Sequence, residues 1–214
     1  MTAANDRSPA PASPDPAPFW DARYAEEAYF YGTEANAWLV SHAASLRPGM
    51  AALAIADGEG RNGVWLAQQG LAVTSVDASA RGLAKAAALA AQRGVRLELV
   101  QANLKSWDWP TERFDVAVSI FAHFPPGLRS AVHRKLLASL RPGGLVLLEA
   151  YSPYQRIYQT GGPQDLDLLY TAYRLQQDFA DAEILQLEET LTELREGSGH
   201  QGKSAVTRLV ARRR

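Results

Sequence analysis

The stretch "AIADGEGRNGVWLAQQG", residues 54–70, leaves an apolar run, places Gly58 and Gly60 in the next turn and then takes up a helical pattern. A strand–glycine–helix passage of this kind has three readings: a nucleotide-binding turn, a tight β-to-α turn with no ligand, or a phosphate loop. The last needs Lys-Ser or Lys-Thr after the second glycine, whereas Gly60 is followed by Arg61-Asn62, so it fails. Gly58-Glu-Gly60-Arg-Asn-Gly63 also spells the GxGxxG of dinucleotide folds. Such folds place a ribose-binding acid about 20 residues on. Asp77 ends the next apolar run only 14 positions after Gly63, and no Tyr-x-x-x-Lys pair follows for hydride transfer.

Working outward, the chain alternates. Apolar runs at 50–56, 71–77, 96–103, 113–124 and 145–151 are expected strands. Helical patterns sit between them: to about Gln69, over 79–94 with a closing glycine, and over 128–140. Strands alternating with helices of 10–15 residues indicate βαβ units and a parallel sheet. Residues 182–194 and 204–212 follow each other without a helix and suit an antiparallel edge hairpin. The expected fold is a single-domain, Rossmann-like α/β sandwich. Its sheet is seven-stranded and mostly parallel, with helices on both faces.

Composition narrows the function. The chain has 214 residues, 22 basic and 23 acidic, so no global field favours nucleic acid or an anionic membrane. It has no cysteine, which excludes disulfides, thiolate metal sites and cysteine nucleophiles. No apolar run reaches the roughly 18–20 residues of a membrane span, and the N-terminus lacks a signal-peptide pattern. Residues 1–18 hold five prolines and are expected to be a disordered tail, with the folded domain at 19–214. The expectation is a cytoplasmic monomer or homodimer acting on a small molecule.

In open α/β sheets ligands bind beyond the carboxyl ends of the strands, where strand order reverses. Four such ends converge here. The glycine turn follows the first strand and Asp77 the second, placed to accept from both hydroxyls of a ribose. Asn103-Leu104 follows the third, and "SIFAHF" (119–124) runs through the fourth.

With "FWDARYAEEAYFYGTEANAWL" (19–39), "VDAS" (76–79), "LRPGG" (140–144) and "EGSGHQGKSAV" (196–206), the chain resembles the class I S-adenosylmethionine-dependent methyltransferases. In detail it is similar to their tellurite-resistance and thiopurine-methyltransferase-like branch. The resemblance implies S-adenosylmethionine as cofactor. Gly58 and Gly60 would lie beside its methionine part, with Asp57 and Asn62 in the same turn. Asp77 and Ala78 would lie at the ribose, Asn103 and Leu104 at the adenine, and Ile120 against its face. Trp20, Arg23, Tyr31 and Gly32 match an aromatic segment that closes over the cofactor, and Arg23 suits the cofactor carboxylate. Three departures stand out: Ala54 where the superfamily has an acid, Ala56 where it has a glycine, and Asn103 where many members have aspartate.

Two histidines are candidate bases for an acceptor that must lose a proton. His123 follows the fourth strand, and His200 lies in a glycine-containing turn near Glu196. No histidine pair has metal-ligand spacing, so no metal is expected. The loop 151–170, with four tyrosines and Gly-Gly-Pro, suits a lid over a small substrate. The acceptor implied by the branch is a thiol or a chalcogen oxyanion. The alternatives are a non-catalytic binder of S-adenosylmethionine or S-adenosylhomocysteine, a macromolecular methyltransferase and an NAD-binding protein.

Overall fold

The structure is a computed structural model that describes residues 15–214; most of the expected tail, residues 1–14, lies outside the described residues. Helix α1 (Ala17–Arg23) begins two residues before the expected start of order, and α2 (Ala37–Ser41) follows. Then come β1 (Ala51–Ile55), α3 (Arg61–Gln68), β2 (Ala72–Asp77), α4 (Ala80–Gln92) and β3 (Glu98–Gln101). The second half runs β4 (Phe114–Ile120), α5 (Pro126–Ser139), β5 (Leu140–Tyr151), α6 (Gln155–Tyr158), α7 (Ala172–Asp178), β6 (Ala182–Glu196) and β7 (His200–Arg213).

The sheet has seven strands in the order β3-β2-β1-β4-β5-β7-β6. The first five run parallel, and β6 and β7 form the antiparallel edge hairpin. Strand order reverses between β1 and β4, which opens the expected crevice. Period-two alternation puts side chains on both faces, so the central strands β1 and β4, covered on both sides, are apolar nearly throughout. Leu53 and Ile55 of β1, Val146 and Leu148 of β5 and Leu209 of β7 pack toward Leu136 of α5 and Phe179 of α7. Their neighbours Ala52, Leu147 and Val210 pack with Trp38 and Leu39 of α2 and Leu66 of α3 on the other face. Among the described residues, no helix is long and apolar enough to cross a membrane.

Several boundaries differ from expectation: β5 begins at Leu140 rather than 145, and β7 at His200 rather than 204, so His200 opens a strand. Strand β4 stops at Ile120 because Phe121 takes a left-handed backbone (φ 53°) that turns the chain out of the sheet. The loop 151–170 contains α6 and a short 3-10 helix, and its tyrosines divide: Tyr151 and Tyr170 are buried, whereas Tyr154 is exposed.

The glycine turn needs left-handed backbone at Ala56 (φ 47°), Gly58 (φ 56°) and Gly60 (φ 84°). At Gly58 a β-carbon would also lie 2.5 Å from the Tyr24 hydroxyl, so only glycine allows that approach. Ala56 bears the conformational strain that a glycine would not. Ala56→Gly is therefore expected to raise the unfolding free energy by about 0.5–1 kcal/mol, read by urea denaturation.

Candidate functional site

A cavity of about 670 Å³ lies over the crevice between the ends of β1 and β4. That is within the usual range of small-ligand sites. Of the residues singled out in the sequence, Trp20, Tyr31, Asp57, Gly58, Asn62, Asp77, Ala78, Asn103, Leu104, Ile120, His123 and His200 line it. Arg23, Gly32 and Gly60 do not. The Arg23 guanidinium lies over the rings of Phe30 (4.7 Å) and Phe19 (5.4 Å), so its expected place at a ligand carboxylate is not seen. The turn's own Arg61 lines the cavity in its stead.

At one end the cavity is built around Asp77. Its Oδ2 accepts from the Gly58 amide (2.8 Å) and its Oδ1 from the Ser79 amide (2.8 Å). A carboxylate offers about four acceptor positions, so both oxygens retain capacity toward the cavity. Burial pushes the Asp77 carboxyl up, against the pull of those amides. Trp20 stacks on Tyr24 beside it, with ring centroids 5.7 Å apart. Leu104 and Ile120 supply apolar wall. The Asn103 side-chain oxygen accepts from the Lys105 amide (3.0 Å), which fixes the loop after β3, and Trp109 braces that loop through the Leu104 carbonyl (3.1 Å).

Asp57 holds the turn from inside: its Oδ2 accepts from Ser75 (2.8 Å) and its Oδ1 from the Gly63 amide (3.3 Å). Burial raises its carboxyl to about 7. It thus ties β1, β2 and α3 together although position 54 carries no acid.

The segment after α1 is strapped across the turn. Glu59 accepts from the amides of Phe30 (2.8 Å) and Tyr31 (3.4 Å), and its other oxygen meets Lys85 at 2.5 Å. From the opposite side, the amides of Ser198 (2.9 Å) and Gly199 (3.2 Å) in the β6–β7 turn donate to the Phe30 carbonyl. These contacts place the Tyr31 ring 4.4 Å from the His200 ring, centroid to centroid.

At that second end a buried polar network joins five parts of the chain. The Glu196 Oε2 accepts from Arg61 (2.7 Å) and contacts His200 Nδ1 (2.9 Å), while its Oε1 accepts from the Asn36 amide group (2.9 Å). Asn36 also donates to Glu149 (2.7 Å), whose other oxygen accepts from Arg208 (2.6 Å). The Asn36 backbone amide donates to Asn62 (3.0 Å). Burial alone would raise the Glu196 carboxyl; the hydrogen bond from His200 and the Arg61 guanidinium outweigh it and hold it at about 2.

His123 also faces the cavity, with both ring nitrogens already engaged. Its Nδ1 lies 2.7 Å from the Leu168 carbonyl, so it is the donor, and its Nε2 accepts from the Tyr151 amide (3.3 Å). Both nitrogens serve backbone groups. Burial lowers its imidazole to about 4, which keeps it neutral. It supports the wall between the end of β4 and the loop after β5. His133, outside the cavity, is buried against Asp178 (2.8 Å).

Beside the loop that the sequence suggested as a lid, the cavity is walled by Phe121, Tyr151 and His200. The Phe121 ring lies 4.6 Å from Tyr151 and 4.4 Å from His200. Gly162 closes one side: a β-carbon there would lie 2.5 Å from the Tyr151 ring.

Comparison with known proteins agrees with this geometry. Residues 52–144 match the model of the methyltransferase domain family. An uncharacterised protein of Mycobacterium tuberculosis is 32% identical over 105 residues, which is 49% of this chain and 38% of its own length. Among solved structures, one concerning conversion of a disulfide bond into a thioacetal group during echinomycin biosynthesis is similar. Its TM-score is 0.76 over 91% of this chain and 90% of its own, at 23% identity. TehB from Haemophilus influenzae gives 0.68 over 92% of this chain and 66% of its own, at 19% identity. Magnesium protoporphyrin IX methyltransferase from Synechocystis, with bound S-adenosylhomocysteine, gives 0.61 over 92% of this chain and 82% of its own, at 17% identity. The fold is the Rossmann-like methyltransferase fold.

Proposed function

We propose that this chain is an S-adenosylmethionine-dependent methyltransferase acting on a small-molecule acceptor. The observation that carries the reading is the Asp77 carboxylate, fixed by the Gly58 and Ser79 amides at the mouth of the cavity. An acid at the end of the second strand beside a glycine turn fits a ribose diol. The match of residues 52–144 to the methyltransferase domain supports it.

Within that reading Asp77 would hold the ribose, Leu104 and Ile120 the adenine, and Gly58 and Asn62 the amino-acid part. When bound, the cofactor supplies an electrophilic methyl group on a sulfonium. Methyl transfer is an in-line displacement, so the chain's main contribution is to position and to exclude water. The hydrogen bonds that tie the Phe30–Tyr31 segment to Glu59 and to the β6–β7 turn would hold Tyr31 and His200 in place at the cavity wall.

The branch resemblance implied a thiol or a chalcogen oxyanion as acceptor. The electrostatics of the acceptor end favour a neutral acceptor, because Arg61, the cation lining that end, is already paired with Glu196 at 2.7 Å. A second reading, a binder without turnover, draws on Ala54, which carries no carboxylate, and on the strained Ala56.

The test is thermal unfolding with added ligand. At 100 times its Kd, S-adenosylmethionine is expected to stabilise the protein by about 2.7 kcal/mol, with no shift from NAD. A shift with NAD alone would remove the methyltransferase reading. A shift with S-adenosylmethionine but no transfer to any acceptor would favour the second reading.

A further inference from the structure

Between the end of β4 and the loop after β5, the cavity wall has its polar groups already engaged inside the protein. Phe124, Pro125, Leu128 and Ala131 line the cavity there, together with Pro163 and Leu168 of the loop. The Phe121 amide donates to the Glu149 carbonyl (2.7 Å). The Tyr170 hydroxyl donates to the Ala122 carbonyl (3.0 Å) and accepts from the Phe124 amide (2.9 Å). His123 commits Nδ1 to the Leu168 carbonyl and Nε2 to the Tyr151 amide. The amides of Leu128 (2.9 Å) and Arg129 (2.8 Å) both donate to the Pro125 carbonyl. Pro125, Pro126 and Pro163 have no N–H to give. Arg129 is the one charged residue in the run 121–131. It does not line the cavity: its guanidinium donates to Asp178 (2.7 Å) and lies over the Tyr170 ring.

The Asp77 end is the opposite case, because both of its carboxylate oxygens keep capacity toward the cavity. A polar ligand group placed against the wall at α5 leaves water and gains no partner, which weakens binding by about tenfold or more. Apolar surface placed there gains from burial alone.

We propose that this wall selects the methyl acceptor, and that the acceptor carries an uncharged hydrocarbon body seated along the start of α5. This rests on the methyltransferase reading above and deepens it. The nucleophilic end of the acceptor lies toward the methyl donor, and the rest of the molecule is read by shape and burial. A sugar, a nucleoside or an oxyanion would leave hydroxyls or charge unpaired against the same surface.

The experiment is calorimetry of the full chain with straight-chain alcohols from butanol to octanol, in the absence and presence of saturating S-adenosylhomocysteine. A further probe, 2-butoxyethanol, matches heptanol in length but carries an ether oxygen in mid-chain. In the presence of S-adenosylhomocysteine, affinity is expected to rise about fourfold for each methylene added. The ether should bind about tenfold more weakly than heptanol. Ala131→Phe fills the wall and should weaken octanol by about tenfold, with S-adenosylhomocysteine affinity kept. Gly127→Asp is the second variant. Gly127 also lines the cavity, and a β-carbon there meets nothing within 4 Å, so the fold is kept. Its carboxylate should weaken octanol about fivefold.

Affinity that does not rise with chain length overturns the proposal. So does equal binding of heptanol and the ether, or octanol binding that neither variant changes. Loss of octanol binding when S-adenosylhomocysteine is added gives the wall to the cofactor and also overturns it. Octanol binding by a protein that does not bind S-adenosylhomocysteine removes the methyltransferase reading and leaves the apolar site standing, so the two failures are read separately.

Discussion

Glu196→Ala is expected to lower the unfolding free energy by about 3–5 kcal/mol, the usual cost of leaving a buried charge without its partner. Arg61 and Glu196 are each 7% exposed at the side chain, so water cannot replace the lost carboxylate at Arg61. The same substitution strips an acceptor from His200 and from Asn36, whose remaining carboxylate partner is Glu149. Four elements are therefore loosened at once: the segment before α2, the start of α3, β5 and the β6–β7 hairpin. Urea denaturation at neutral pH reads the loss. A change below about 1 kcal/mol would place the network among weak surface pairs. The pH dependence has a definite sign. The Glu196 carboxyl is held at about 2, against an ordinary value of 4.5. Its contribution is complete above 4.5 and is lost as pH falls toward 2. Asp57 acts in the opposite sense. Its carboxyl is raised to about 7 from 3.8, so its burial costs stability as pH rises through that interval. Glu196→Ala should therefore remove the part of the stability loss that falls between pH 4.5 and 2 and leave the Asp57 interval unchanged.

The second large effect is on binding. Asp77→Ala is expected to weaken S-adenosylmethionine by roughly 100-fold or more, because two charge-assisted hydrogen bonds contribute about 1.5–3 kcal/mol each. The variant should still fold, although the Gly58 and Ser79 amides lose their acceptor. Circular dichroism beside the titration separates the two effects. Asp77→Asn should fall between, since an amide keeps an acceptor without charge. Equal affinity in wild type and Asp77→Ala would move the ribose elsewhere.

The sheet was legible because its signal is local. Runs such as "LVLLEAY" are largely apolar on both faces, and glycine turns separate them from helices, so the mostly parallel sheet and its crevice followed from general topology. The boundary of β4 was not legible, because nothing in "SIFAHF" announces that Phe121 will turn left-handed. The Asp77 end of the cavity was mostly legible, since strand ends collect there whatever their side chains do. Arg23 was expected at a ligand carboxylate from its charge alone, whereas its guanidinium lies over the rings of Phe19 and Phe30.

The buried network around Glu196 was not legible, and the reason is sequence separation. Arg61 and Glu196 lie 135 residues apart and Asn36 and Glu149 lie 113 apart, so no pattern links them. One signal was present and unused. Glu149 sits in the middle of an apolar strand, and a lone charge in a buried strand demands a partner. The two candidate histidines were distinguishable only by their neighbours. His123 meets two backbone groups, while His200 meets a carboxylate.

The most direct measurement is titration calorimetry of the full chain with S-adenosylmethionine, with S-adenosylhomocysteine and NAD as comparators. The account expects one site per chain, micromolar or tighter for both sulfur compounds, and no heat from NAD. A folded protein that gives no heat with either sulfur compound would contradict it, and the cavity over Asp77 would then belong to a different ligand.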